Sequence, residues 1–124
     1  MNDTTDTRQQ ILEAAMERIV HYGYSKTTMS EIAKDCNMSA GNIYRFFASK
    51  LDIAEAIGRK FNSELYQTYA SICRKPITAA DRLRQFFEFS MVRTYEALEE
   101  KDKLVELAET LADERPLFMN EQLA

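Results

Sequence analysis

From Thr7 onward the apolar residues Ile11, Leu12, Ala15, Met16, Ile19 and Val20 recur at three- and four-residue intervals, with Arg8, Glu13, Glu17 and Arg18 between them. That spacing predicts an amphipathic helix. Gly23 ends it, because glycine accepts the left-handed conformation found at helix C-termini. Thr28-Met29-Ser30-Glu31 has the form of a capping box, with a threonine at the cap and a glutamate three residues on. A short helix follows, with Met29, Ile32, Ala33 and Cys36 facing inward. Asn37-Met38-Ser39 then forms a three-residue turn. Asparagine suits a left-handed position, and serine is a strong N-cap. The next short helix turns Ile43, Phe46 and Phe47 inward. Ser49 with Asp52 caps a long helix carrying Ile53, Ala54, Ile57, Phe61, Leu65, Tyr69 and Ile72, which Pro76 ends. Thr78 with Asp81 opens a further helix whose apolar stripe is Leu83, Phe86, Phe87, Ser90, Met91, Tyr95 and Leu98. The run Glu99-Glu100-Lys101-Asp102 reads as a corner. Leu104, Val105, Leu107, Ala108 and Leu111 carry a last amphipathic helix up to Pro116, and residues 117–124 look like the start of a further element. No segment alternates with period two long enough for a strand. The fold class is therefore all-α.

Composition narrows the picture. The chain has 124 residues, 45% of them apolar, enough for one core or for a small domain joined to part of a second. With three Gly and two Pro, helices are interrupted rarely. No apolar run approaches the ~20 residues needed to span a bilayer. The polar, acidic N-terminus lacks the basic and apolar regions of a signal peptide, so a cytoplasmic location and no membrane partner are expected. Residues 1–6 read as a disordered leader. Cys36 and Cys73 are read as two reduced thiols rather than a pair. Two Cys and one His offer no metal-ligand spacing, so neither metal nor cofactor is expected.

The net charge of −4 weighs against nucleic acid only as an average. Residues 1–60 hold eight basic and eight acidic residues, whereas residues 61–124 hold eight basic and twelve acidic. The acid lies in the C-terminal half, so an N-terminal surface facing DNA stays open.

Two short helices joined by a tight turn and preceded by a supporting helix outline a helix-turn-helix. Its second helix enters the major groove with its N-terminal residues first, and its unpaired amides and positive dipole end point toward phosphate. The exposed positions here are Ser39, Ala40, Gly41, Asn42, Tyr44 and Arg45. Gly41 removes a side chain from the approach to DNA. Asn42 can pair bidentately with adenine and Arg45 with guanine. Tyr44 offers a hydroxyl to phosphate and a ring to a thymine methyl. Thr27 and Thr28 can donate to the flanking backbone, and Lys50 is placed as a phosphate clamp.

Thr28 through Ala33, then Met38-Ser39-Ala40-Gly41-Asn42-Ile43-Tyr44-Arg45-Phe46-Phe47 and Ser49-Lys50, together resemble the TetR family of one-component regulators. The resemblance covers about residues 7–60. It implies a three-helix DNA-binding headpiece (residues 7–55) joined by a long helix to an effector-binding and dimerisation region (residues 56–124). It also implies a homodimer on double-stranded operator DNA that lets go when a small molecule binds. The recognition helix would be Ser39 to Phe47. Thr27, Thr28, Tyr44 and Lys50 would contact phosphate, and Ala40, Gly41, Asn42 and Arg45 would read bases. Asn37 stands where the family usually has Gly. Phe46 replaces a frequent His or Tyr, which removes one phosphate hydrogen bond, and Ala48 replaces a commonly polar residue. The chain is also shorter than the family's usual length; a truncated chain, an interrupted gene product and a short variant that dimerises differently are the three readings of this.

Phe61, Leu65, Tyr69, Phe86, Phe87, Met91 and Tyr95 are candidates for an effector pocket, although a plain helical core accounts for most of such a stripe. An acidic helical interaction module, with the helix-turn-helix as scaffold, is a second reading. Enzymatic chemistry has little support: no nucleophile stands beside a base and there is no glycine-rich phosphate loop.

Overall fold

A computed structural model describes residues 3–99 and 101–118. Six α-helices follow one another: α1 (Asp3–Tyr22), α2 (Met29–Asp35), α3 (Ala40–Ile43), α4 (Lys50–Arg74), α5 (Ala79–Glu99) and α6 (Lys101–Glu114). The helix expected from Thr7 thus starts four residues earlier, at Asp3, and takes in most of the expected leader. Of the expected corner, Glu100 lies outside the described residues, and α5 and α6 flank it. Residues 116–118 are helical again, and the rest of the element expected there lies outside the described residues.

Local chemistry sets each helix end in the N-terminal half. Gly23 takes φ +96° after α1, and its amide donates to the Ile19 carbonyl at 2.8 Å. A side chain there would meet Glu106 as well as backbone strain. Both halves of the capping box at Thr28 and Glu31 are formed. Asn37 adopts φ 57°. Its amide donates to Lys34 and that of Met38 to Ala33, which ties off the end of α2 as a left-handed C-terminal cap. Ser39 and Ser49 cap α3 and α4 by accepting from the amides of Asn42 and Asp52.

These caps hold α1, α2, α3 and the start of α4 around one apolar centre. Ile11, Ala15, Ile19, Ile32, Ile43, Ile53 and Ala54 are fully or almost fully buried in it, with Phe47 and Ile57 close behind. Arg18 spans α1 and α2, donating from Nε to Asp35 at 2.6 Å and lying 3.4 Å from Glu31. Beside Arg18, Asp35 is held below the usual carboxylate range by that hydrogen bond.

Helix α6 folds back onto this headpiece. Leu107, Leu111 and Phe118 join its core. Arg115 reaches the first turns of α4, at 2.8 Å from Asp52 and 3.0 Å from Glu55. The missing side chain of Gly58 leaves room for Phe118, whose ring would lie 3.0 Å from an added Cβ.

Helix α5 is different. Tyr69 of α4 packs edge-on against Phe86 and Phe89, and its hydroxyl is 2.9 Å from that of Ser90. The rest of the expected inward stripe points away: Leu83, Phe87, Met91 and Tyr95 are exposed. The physical reason lies in the pattern. Phe86, Phe89 and Arg93 occupy one side of α5 and Leu83, Phe87, Met91 and Tyr95 another, so only one side can face α4. The side chain of Leu98 lies outside the described residues.

Candidate nucleic-acid interface

The sequence Ser39-Ala40-Gly41-Asn42-Ile43 makes one α-helical turn, fixed at its start by the serine cap. Beyond it the chain tightens. Arg45 donates to Asn42 and Phe46 to Ile43, each three residues back, before Phe47 returns to the four-residue bond with Ile43. The expected helix from Ser39 to Phe47 is therefore a short α-turn continued by tighter turns. Two residues beyond Phe47, Ser49 caps the start of α4. With one turn of aligned peptides the dipole at its start is small, so what this turn can offer a ligand rests on its side chains.

Ile43 is fully buried and Phe47 nearly so, and these two residues anchor the segment. The guanidinium of Arg8 lies 4.9 Å from the Phe47 ring centre and braces it from α1. With that side fixed, Ser39, Ala40, Gly41, Tyr44 and Arg45 are exposed, and Asn42 is half-buried. Tyr44 is 52% exposed, so its ring and hydroxyl are open to a ligand. A Cβ built on Gly41 would meet nothing within 4 Å, so a flat surface could approach this turn closely.

Thr27 and Thr28 do not act alike. Thr28 is exposed, and its oxygen accepts from the Glu31 amide at 3.2 Å, which leaves its hydroxyl hydrogen free to donate outward. Thr27 is fully buried and its hydroxyl donates to the Gly23 carbonyl at 2.8 Å. The assignment of Thr27 to phosphate is thus corrected: its hydroxyl and its amide, which donates to the Tyr24 carbonyl at 3.1 Å, both close the turn between α1 and α2. Lys50 is half-buried. Its ammonium donates to the Tyr24 carbonyl at 2.9 Å and stands 4.1 Å from the Tyr24 ring centre. One of its three donors is thereby committed, and the cation is held in place at the start of α4.

Sequence reasoning missed the support of this surface from α6. Glu106 accepts from the Ser25 amide at 2.8 Å and so ties down the corner between α1 and α2; hydrogen bonding with the Ser25 side chain, and then with its backbone, holds the Glu106 carboxyl below the ordinary range. The two partners are 81 positions apart, and no pattern in the sequence announces the contact.

The candidate pocket residues do not converge on one cavity. An open groove of about 820 Å³ between α4 and α5 is lined by Thr68, Ile72, Lys75, Glu88, Phe89 and Val92 among others, and by none of the seven. Phe61 lines a different cleft, of about 350 Å³, with Leu12, Met16 and Ile57. Its ring is also covered by the Arg93 guanidinium, 3.9 Å from the ring centre. Leu65 is half-buried, Tyr69 and Phe86 pack on each other, and Phe87, Met91 and Tyr95 face outward. Among the described residues no group of three or more His, Cys, Asp or Glu stands together as a metal site. No helix there is long and apolar enough to cross a membrane. Cys36 is buried and Cys73 exposed, both as free thiols.

A capped two-helix unit with a tight left-handed turn, supported by α1 and presenting polar residues from its second member, defines a helix-turn-helix domain. Residues 11–57 match the bacterial regulatory proteins of the tetR family, so this N-terminal segment is similar to the helix-turn-helix domain of those regulators. It is 43% identical over 51 residues to the uncharacterized HTH-type transcriptional regulator YvkB of Bacillus subtilis, covering 41% of this chain and 27% of that protein. It is 28% identical over 92 residues to the HTH-type transcriptional repressor KstR2 of Mycobacterium tuberculosis, covering 74% of this chain and 44% of that protein. A crystal structure of a transcriptional regulator from Cytophaga hutchinsonii superposes with a TM-score of 0.69 at 27% identity, covering 91% of this chain and 55% of that one. The chain thus spans less than half the length of these two curated relatives.

Proposed function

We propose that the chain is a sequence-specific DNA-binding transcriptional regulator, acting in the cytoplasm as a homodimeric repressor that a small-molecule effector releases from its operator. One observation carries the reading. The segment from Ser39 to Phe47 is anchored by Ile43 and Phe47 and turns Asn42, Tyr44 and Arg45 to its outer side. Those three side chains match what a major-groove reader needs: an amide for adenine, a guanidinium for guanine, and a phenol for phosphate or a thymine methyl. Thr28 and Lys50 stand at the starts of α2 and α4, on either side of the reading turn in the sequence, and serve as backbone contacts. Likeness to a named repressor supports the direction of regulation.

The mechanism follows from the mechanical links. Two headpieces read two half-sites ~34 Å apart. An effector among the C-terminal helices acts by favouring an arrangement of α4 and α6 in which that spacing is lost, and it can do so only through unequal affinity for the two arrangements. The contacts of Glu106 with Ser25 and of Arg115 with Asp52 and Glu55 connect α6 to the headpiece.

Enrichment of bound duplexes from a random DNA pool tests the reading. A defined, two-fold symmetric sequence is the expected outcome. Recovery of DNA with no shared sequence at low salt, under which nonspecific phosphate binding is strongest, would overturn it.

A further inference from the structure

Near its N-terminus α1 holds a cation that the reading turn itself does not supply. The guanidinium of Arg8 stands 4.9 Å from the centre of the Phe47 ring, at the end of the segment from Ser39 to Phe47. A little further along α1, the Gln10 carbonyl accepts from Cys36 Sγ at 3.8 Å, at the end of α2. This part of α1 thus runs beside both members of the helix-turn-helix. Arg8 is exposed. The residues one turn away on α1 are Thr4, Thr5, Ile11 and Leu12, so no carboxylate of its own helix is spaced to pair with it. Among the described residues its N–H groups make no hydrogen bond or ion pair. Arg18 of the same helix differs, being paired with Asp35 and Glu31. A guanidinium over a ring spends its face there and keeps its edge, with the N–H fork, for an acceptor.

We propose that Arg8 holds a DNA backbone phosphate at the C-terminal end of the reading segment, a contact made from outside the helix-turn-helix. That end needs a cation from elsewhere. Phe46, Phe47 and Ala48 close the segment and have no side-chain donor. The ammonium of Lys50, just beyond, is tied to the Tyr24 carbonyl. Arg8 supplies what the stretch lacks: a forked, always charged donor that matches the paired oxygens of a phosphate. Tyr44 stands one turn before Phe47, which puts an exposed phenol and this guanidinium at the same end of the segment. Phe47 assists by holding the guanidinium over its ring. A long exposed side chain otherwise loses much rotamer freedom on binding, and a side chain already in place loses less.

The inference rests on the proposed function for its ligand, a DNA duplex, but on no selected sequence. Its test is the affinity of the full chain for an enriched and a scrambled duplex, from about 50 to about 200 mM salt. Arg8→Met keeps an apolar cover over Phe47 and Arg8→Gln a shorter polar one, and both remove the charge. Each is expected to bind both duplexes more weakly. Each is also expected to lower the slope of log affinity against log salt by about one for every chain bound. With one chain bound, the deficit against the unsubstituted chain then shrinks roughly 3- to 4-fold across that range. Arg8→Lys is expected to keep the slope. A brace that acts only through Phe47 predicts a deficit equal at every salt concentration, larger for Gln than for Met and not spared by Lys. That pattern overturns the proposal. So do unchanged affinity in both charge-free variants, a loss confined to the enriched duplex, and a chain that binds neither duplex. Failure of the proposed function looks different: the two duplexes bind alike, while the slope still reports on Arg8.

Discussion

The headpiece and helix α5 are built from similar apolar residues and use them in opposite ways. In the headpiece Ile11, Ile19, Ile32, Ile43 and Ile53 are withdrawn from water completely, and the polar residues of the reading turn are left outside. In α5 Leu83, Phe87, Met91 and Tyr95 lie outside, and an arginine is partly enclosed between Phe61 and Phe89. The difference shows that hydrophobic content says how much surface must be covered, whereas the number of helices around an element decides whether it is covered. The headpiece core is enclosed by α1, α2, α3, α4 and α6, while among the described residues α5 packs mainly on α4 and α6.

The comparison is most sharply broken by truncating one side chain in each region. Ile43→Ala in the buried centre is expected to cost about 2–5 kcal/mol. Phe87→Ala on the exposed side of α5 is expected to change stability in dilute solution by less than ~0.5 kcal/mol. Chemical denaturation of both variants checks this, and equal losses would mean that α5 is packed as the headpiece is. The two neighbouring threonines give a finer contrast. Thr27→Val strands the Gly23 carbonyl in the interior and should cost about 1–3 kcal/mol, with any loss of DNA affinity following the loss of folded protein. Thr28→Ala removes an exposed cap worth about 1 kcal/mol and should in addition weaken binding to DNA of every sequence, since a phosphate contact does not discriminate.

The smallest effect is that of acid. Glu106 and Asp35 are held below their ordinary pKa by hydrogen bonds from Ser25 and Arg18. A lowered folded pKa stabilises the fold fully above the unfolded value, about 4, and the contribution disappears as pH falls through the folded value. Thermal unfolding between pH 6 and pH 3 should therefore show a decline that Glu106→Gln and Asp35→Asn each reduce. Both groups are near solvent, so the reduction should be slight.

What could be read from the sequence was local. The capping box at Thr28, the left-handed Asn37 and the serine caps at Ser39 and Ser49 each depend on residues within three or four positions, and all are formed. The inward Ile43 and Phe47 follow from helical spacing. Thr27 misled because a threonine beside a cap can turn either way, and only the position of the Gly23 carbonyl decides. The side of α5 that faces α4 was illegible for a related reason: both sides are apolar. The contacts of Glu106 with Ser25 and of Arg115 with Asp52 span 81 and 63 residues, and charge alone does not choose between many such pairs.

The affinity of Arg45→Ala for the enriched duplex and for a scrambled one, set against that of the unsubstituted chain, tests the role of the reading turn most directly. The account predicts a loss of roughly 10-fold or more on the enriched duplex, corresponding to 1–3 kcal/mol for a base-reading arginine, and a much smaller loss on the scrambled one. Equal losses on both, or none on either, would contradict it.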